Sequence, residues 1–179
     1  MVKDICSRCP RFIHCCKFDT SGFVFIGIKD AVKISSKFNL KYKDFLEFKQ
    51  LPAKTRYLLS RSPKHSEGYL RFKQLVKGKL LVLKTRKNND CIFYDDGCKI
   101  YDSRPLICRI YPYWFFLGEK RHIIAHGEDS GCMMLKESEG LAILKKNESE
   151  KIIKLSKDIE AEDKYYRKNI KKFIKNRSL

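Results

Sequence analysis

Apolar positions along this chain recur at two periods, and the period changes at recognisable punctuation. Phe23, Val24, Phe25 and Ile26 are β-formers bracketed by Gly22 and Gly27, which predicts a short buried strand. From about Lys29 the spacing of Ala31, Val32, Ile34 and Phe38 predicts a helix with one apolar face, closed at Asn39. Tyr42, Phe45, Leu46 and Lys49 begin a second amphipathic turn, and Pro52 ends it. Residues 52–67 read as loop or short helix. Tyr69–Phe72 and Leu80–Leu83 read as two strands, with Lys77-Gly78 as a hairpin turn between them.

The second half alternates between cysteine-rich loop and regular pattern. Asp102 or Ser103 is placed to cap a short helix with Pro105 in its first turn, and Leu106, Ile107 and Ile110 give that helix an apolar side before Pro112 stops it. The aromatic run Tyr113–Phe116 predicts a strand continued by His122–Ala125. From Ser149 onward the pattern is helical: Ile152, Leu155, Ile159, Tyr166, Ile170, Phe173 and Ile174 fall on one side. The fold class expected is α+β: a small metal-stapled domain of short strands and helices over residues 1–136, then a basic helical extension over 137–179, packed on it or projecting from it.

Composition narrows the class. The chain has 179 residues, 43% of them hydrophobic, which suits one globular domain with an appended helix. Lys plus Arg outnumber Asp plus Glu by 39 to 21, a formal net charge of +18. That excess has two readings: a lysine-rich solvated surface, or an acidic partner such as nucleic acid or an anionic cofactor. The C-terminal run KYYRKNIKKFIKNRSL carries seven basic residues and no acidic one. It is either the solvated face of a terminal helix, whose lysines suit the negative end of the dipole, or an arm for RNA or phosphate. No run approaches the roughly 18 apolar residues of a membrane span.

The eight cysteines change the picture most. Cys6, Cys9, Cys15 and Cys16 form one cluster, and Cys91, Cys98 and Cys108 a second, with Cys132 beyond it; residues 17–90 contain none. Thiols gathered this way are disulfides, metal ligands or buried packing residues. The first residues, MVKDICSRCPRFIHCC, put charges and cysteines where a secretory signal has its apolar run. The expected compartment is therefore the cytoplasm, where thiols stay reduced and paired clusters read as metal sites. A Cys-x2-Cys pair, here Cys6 and Cys9, turns two sulfurs toward one metal across a tight loop, as in zinc and iron–sulfur sites alike. Adjacent Cys15 and Cys16 point apart in extended backbone, so one centre more easily uses only one of them. Tetrahedral sulfur coordination does not choose between the metals. The aromatics around the second cluster (Phe93, Tyr94, Tyr101, Tyr111, Trp114) favour a shielded iron–sulfur cluster, with zinc as the alternative.

The run CIFYDDGCKIYDSRPLICRIYP, residues 91–112, resembles the CxxCxxCC cysteine-cluster family, the YkgJ-like zinc- or iron-chelating domains. It matches that family's cysteine and aromatic, Gly-Cys, Ile-Tyr, Arg-Pro and Cys-Arg-x-Tyr-Pro. Residues 25–48, FIGIKDAVKISSKFNLKYKDFLEF, resemble its strand, Asp-started helix and second helix. The resemblance spans residues 6 to about 132. It implies metal binding through Cys6, Cys9, Cys15, Cys16, Cys91, Cys98, Cys108 and Cys132. In the family the first cluster is usually Cys-x2-Cys-x2-Cys-Cys; here five residues separate Cys9 from Cys15, which keeps the ligands but reshapes their loop. A similar domain occurs in flagellin lysine N-methylases, which implies a redox or methyl-transfer role.

Around the second cluster, Arg104 and Arg109 are the candidate cofactor-binding residues, donating toward thiolates, sulfides or a substrate anion. The alternative is an ion pair from either arginine to Asp95, Asp96 or Asp102 that folds the loop. His14, His122 and His126 lie near cysteines and are candidate replacements for a cysteine ligand. No Ser/His/Asp arrangement, phosphate loop, dinucleotide fingerprint or radical-SAM cysteine spacing is present, which weakens the case for stand-alone catalysis. Three function classes follow: a [4Fe–4S] protein with a redox or methyl-transfer role, a zinc-stapled interaction module that binds RNA, and a metal chaperone or sensor.

Overall fold

The computed structural model describes residues 24–62, 73–95, 97–110, 113–116, 122–125 and 149–177. Helix α1 runs Ile28–Phe38 and is closed, as its sequence predicts, by Asn39 in the left-handed conformation (φ 51°). A single helical turn, α2 (Tyr42–Phe45), leads straight into strand β1 (Leu46–Gln50), and α3 (Ala53–Ser60) follows Pro52. Strand β2 is Lys79–Leu83. A 3-10 turn at Tyr101–Ser103 precedes α4 (Leu106–Ile110). Strands β3 (Tyr113–Phe116) and β4 (His122–Ala125) form an antiparallel hairpin, Tyr113 opposite Ala125 and Phe116 opposite His122. The long helix α5 spans Ser149–Arg177. The architecture is small and α+β, with the C-terminal helix in place.

Pairing departs from the sequence expectation at Leu46–Gln50 and at Val24–Ile26. Leu46–Gln50, expected to continue a helical turn, is the strand that pairs with β2, Leu46 opposite Leu83 and Gln50 opposite Lys79. The segment DFLEFKQ satisfies a period of two as well as it satisfies a helical one. The continuous apolar run Leu80–Leu83, buried along its length, supplies an edge that only a strand can pair with. The Lys77-Gly78 turn forms as expected: both residues have positive φ (50° and 77°), and Val76 and Lys79 exchange backbone hydrogen bonds of 2.8 and 3.0 Å across it. The expected partner of β2 at Tyr69–Phe72 lies outside the described residues. The run Val24–Ile26 lies along the other edge of β2 through the Ile26 N–H to Leu81 carbonyl and Leu83 N–H to Val24 carbonyl bonds, with a bridge between Phe25 and Val82 rather than a regular strand.

The larger of two core clusters among the described residues joins segments far apart in the chain. Val24, Ile26, Ile28, Ala31, Ile34, Phe45, Leu46, Leu81 and Leu83 pack with Cys91, Phe93 and Ile100, and with Tyr166, Ile170 and Phe173 of α5. Burying a side chain of this size contributes on the order of 1.5–3 kcal/mol, so α5 is held by its apolar stripe rather than by helix propensity. Phe173 meets Tyr42 edge-on, with centroids 5.1 Å apart, and Tyr166 lies 5.8 Å from Phe25. Helix α5 also packs against α1 and against α4, the helix that carries Cys108.

Candidate metal centre

The chain leaves β2 and turns back at once. The Asn89 N–H reaches the Arg86 carbonyl at 2.9 Å, and the Arg86 N–H reaches the Asp90 carbonyl at 2.7 Å. The Asn88 side chain locks the turn by donating to Asp90 Oδ2 (2.8 Å) and accepting from the Asp90 N–H (3.1 Å). This returns Cys91 to a bridge with Thr85 and buries it to 6% exposure. A second tight turn follows: the Tyr94 N–H donates to the Cys91 carbonyl, Tyr94 bridges Cys98, and the Lys99 N–H donates to the Phe93 carbonyl. An Asp95–Lys99 ion pair clasps its rim and draws the Asp95 carboxyl below its usual range.

Two turns therefore bring two cysteines together in matching settings. Burial pushes the Cys91 thiol up to about 11; the Phe93 amide, hydrogen-bonded to its sulfur, pulls the other way, and the neighbouring Cys98 pushes it further up. Burial likewise raises Cys98, opposed by the Ile100 amide at its sulfur and by the Arg104 charge. Each sulfur thus accepts from the amide two residues further on. The thiols repel as anions and are costly to ionise alone in this apolar setting, where a cation would offset both terms. Sulfur donors, amides directed at sulfur and aromatic shielding suit zinc and iron–sulfur centres alike.

Cys108, on α4, is half-buried and packs against the same core as Cys91 and Cys98. Cys91, Cys98 and Cys108 form no disulfide with one another. Among the described residues, no group of three or more histidine, cysteine, aspartate or glutamate side chains is gathered closely enough to hold a metal ion. Cys6, Cys9, Cys15, Cys16 and Cys132 lie outside the described residues, as do His14 and His126.

The two arginines take different positions. Arg104 is 9% exposed, lies 3.8 Å over the Tyr101 ring and donates from Nε to the Tyr101 carbonyl at 3.0 Å. Its charge lies near enough to Cys98 to oppose the rise that burial gives that thiol. Among the described residues Arg109 pairs with Asp30 on α1 rather than with Asp95 or Asp102, its Nη2 3.7 Å from Asp30 Oδ1; Asp96 lies outside the described residues. The cap of α4 also differs from expectation. Asp102 is exposed, and the Leu106 N–H is met by Oδ2 of Asp30 at 2.7 Å. Sequence reasoning passed over Asp30. The available signal was an acid at the position four before Ile34, on the buried face of α1. Glu162 and Asp163 carry the same signal, sitting four and three residues before buried Tyr166.

A small α+β domain that pairs two cysteines and packs a third against the same core defines a thiol-rich metal-chelating protein. A family model bears this out over residues 5–169: it is the CxxCxxCC model, described as "Putative zinc- or iron-chelating domain", and the chain belongs to that family. No curated protein and no solved structure matches the chain. No helix among the described residues is long and apolar enough to cross a membrane.

Proposed function

We propose that this chain carries a [4Fe–4S] cluster, held by four thiolates drawn from Cys6, Cys9, Cys15, Cys16, Cys91, Cys98, Cys108 and Cys132, and serves redox or methyl-transfer chemistry together with a partner protein. The observation that carries this reading is the Cys91–Cys98 pair: a buried and a half-buried sulfur near one another, each with a backbone amide directed at it, packed with Phe45, Phe93 and Tyr94. When bound, such a cluster supplies one-electron redox chemistry whose potential follows burial and hydrogen bonds to sulfur. The chain's own residues set those terms. Phe93 and Ile100 present their amides, Phe45 packs against Phe93 at 5.7 Å, and Arg104 brings a positive charge toward Cys98.

Zinc is the second reading. In it the chain is a zinc-stapled module that binds RNA, and the exposed Lys29, Lys33 and Lys37 of α1 and Lys164, Lys168, Lys171, Lys172 and Lys175 of α5 suit the RNA part of that reading. Metal and acid-labile sulfide analysis of the full chain purified without oxygen, with a visible spectrum, separates the two. About four irons and four sulfides per chain with broad visible absorbance is the expected result. Zinc without sulfide overturns the cluster reading and leaves the staple.

A further inference from the structure

Charges on α1 are sharply sorted. Lys29, Lys33 and Lys37 face solvent, while the helix's one acid, Asp30, is 6% exposed. A carboxylate in that setting is costly unless hydrogen-bonded and paired. Burial raises its pKa, and the Leu106 amide, Arg109 and Lys33 pull it back down. Glu162 of α5 also faces it.

Both Asp30 oxygens are committed to α4, Oδ2 to the Leu106 N–H at 2.7 Å and Oδ1 to Arg109 Nη2 at 3.7 Å. Helix α4 has five residues, far too few to persist by itself. The nearest candidate cap in its own segment, Ser103, is buried with its hydroxyl unpartnered. The start of α4 therefore depends on a carboxylate 76 positions away. Between the two clamped residues, on the same turn and a half of helix, sits Cys108.

We infer that Asp30 is a positioning residue for the metal site: by clamping Leu106 and Arg109 it fixes where α4 holds the Cys108 sulfur relative to Cys91 and Cys98. Cys91 and Cys98 are placed by the turns after β2, and Cys108 by a separate helix, so something must set the distance between the two supports. Asp30 does so from α1, which is anchored in the core through Ile28, Ala31 and Ile34. The inference rests on Cys108 being a ligand, as proposed above.

The test uses the full chain, stripped of metal without oxygen and titrated with cobalt(II) against a chelator, reading the sulfur-to-cobalt charge-transfer band and the affinity. Asp30→Asn keeps shape and removes charge. Asp163→Asn is the control: Asp163 is likewise a buried carboxylate, but its bonds go to Gln74 at 2.8 Å and Arg167 at 3.0 Å rather than to α4. Cys108→Ser reports on the ligand itself. Asp30→Asn is expected to keep the band and weaken cobalt affinity about tenfold, in line with outer-shell partners of metal ligands. Asp163→Asn is expected to lose stability while keeping native affinity. Asp30→Ser, which leaves a shorter uncharged acceptor, stands in if Asp30→Asn fails to fold and is expected to weaken affinity in the same way. Native affinity in the Asp30 variant, with Cys108→Ser impaired, overturns the inference. Native band and affinity in Cys108→Ser overturns instead the assignment of Cys108 on which it rests.

Discussion

Glu162 of α5 occupies the space that a side chain on Gly27 would need. A Cβ built at Gly27 falls 2.5 Å from Glu162 Cγ and 2.6 Å from its Oε1. The close approach lets Oε1 accept the Lys29 N–H at 2.9 Å, so an acid from the C-terminal helix satisfies an amide at the start of α1, where Gly27 itself supplies no side-chain cap. Gly27 has extended backbone (φ −77°, ψ 162°), which alanine adopts freely, so the demand for glycine here is steric.

Gly27→Ala is therefore expected to cost roughly 1–3 kcal/mol of stability, the range for forcing atoms into a packed site. The same substitution in a Glu162→Ala background removes the clash and should cost much less. A double-mutant cycle by urea denaturation measures the coupling, and additive effects would show that the two residues do not share this space.

Stability should depend on pH through Glu162. Burial, foremost, and nearby Asp30 lift its pKa from 4.5 to about 7, against hydrogen bonds from the Lys29 and Ile28 amides and the Lys29 charge. The folded chain then holds a proton that the unfolded chain has released between those two values. The associated stability is fully present below 4.5 and is lost as pH rises through about 7, by at most about 3 kcal/mol. Asp30 and Asp163 are raised by burial too and act in the same sense. Glu162→Gln should flatten the curve between pH 5 and 7 and gain stability at pH 8; thermal melts across that range with unchanged slope would sink the assignment.

Single Cys→Ser replacements should separate the ligands. Cys91, Cys98 and Cys108 share the core, so each is expected to lower both metal content and soluble yield, and Cys98 or Cys108 should cost more than Cys132. Arg104→Lys keeps the charge but loses the stack on Tyr101 and the Nε bond, and should loosen metal retention without emptying the site. Metal analysis after a timed chelator challenge reads both effects, and equal retention across the whole panel would remove these cysteines from the site.

The exposed lysines of α1 and the C-terminal half of α5 predict salt-dependent binding of single-stranded RNA. Lys29 sits 5.0 Å over the ring of exposed Tyr165, which places a stacking surface among the charges. The apolar face of α5 is spent in the core, which argues against a membrane surface as the partner. Replacing Lys168 and Lys172 with Glu should weaken binding and reduce the salt slope by about one per lysine removed. Anisotropy titrations at several salt concentrations measure it; no salt-dependent binding by the native chain would leave these lysines as solvated surface.

What was legible in the sequence was whatever depends on neighbours along the chain. The period of α1 and its stop at Asn39, the Lys77-Gly78 turn, the start of α5 at Ser149 and the cysteine clusters all follow from local backbone preference or from spacing. Local pattern was insufficient where a segment satisfied two periods. Leu46–Gln50 became a strand because the buried run Leu80–Leu83 offered it a partner. The buried acids were the larger gap. Asp30, Glu162 and Asp163 look like ordinary helix-surface charges until α1, α4 and α5 are packed together. Only tertiary packing gives Asp30 the Leu106 amide and Arg109, and Glu162 the Lys29 amide, because a carboxylate leaves water only where distant parts of the chain bring hydrogen-bond donors to meet it.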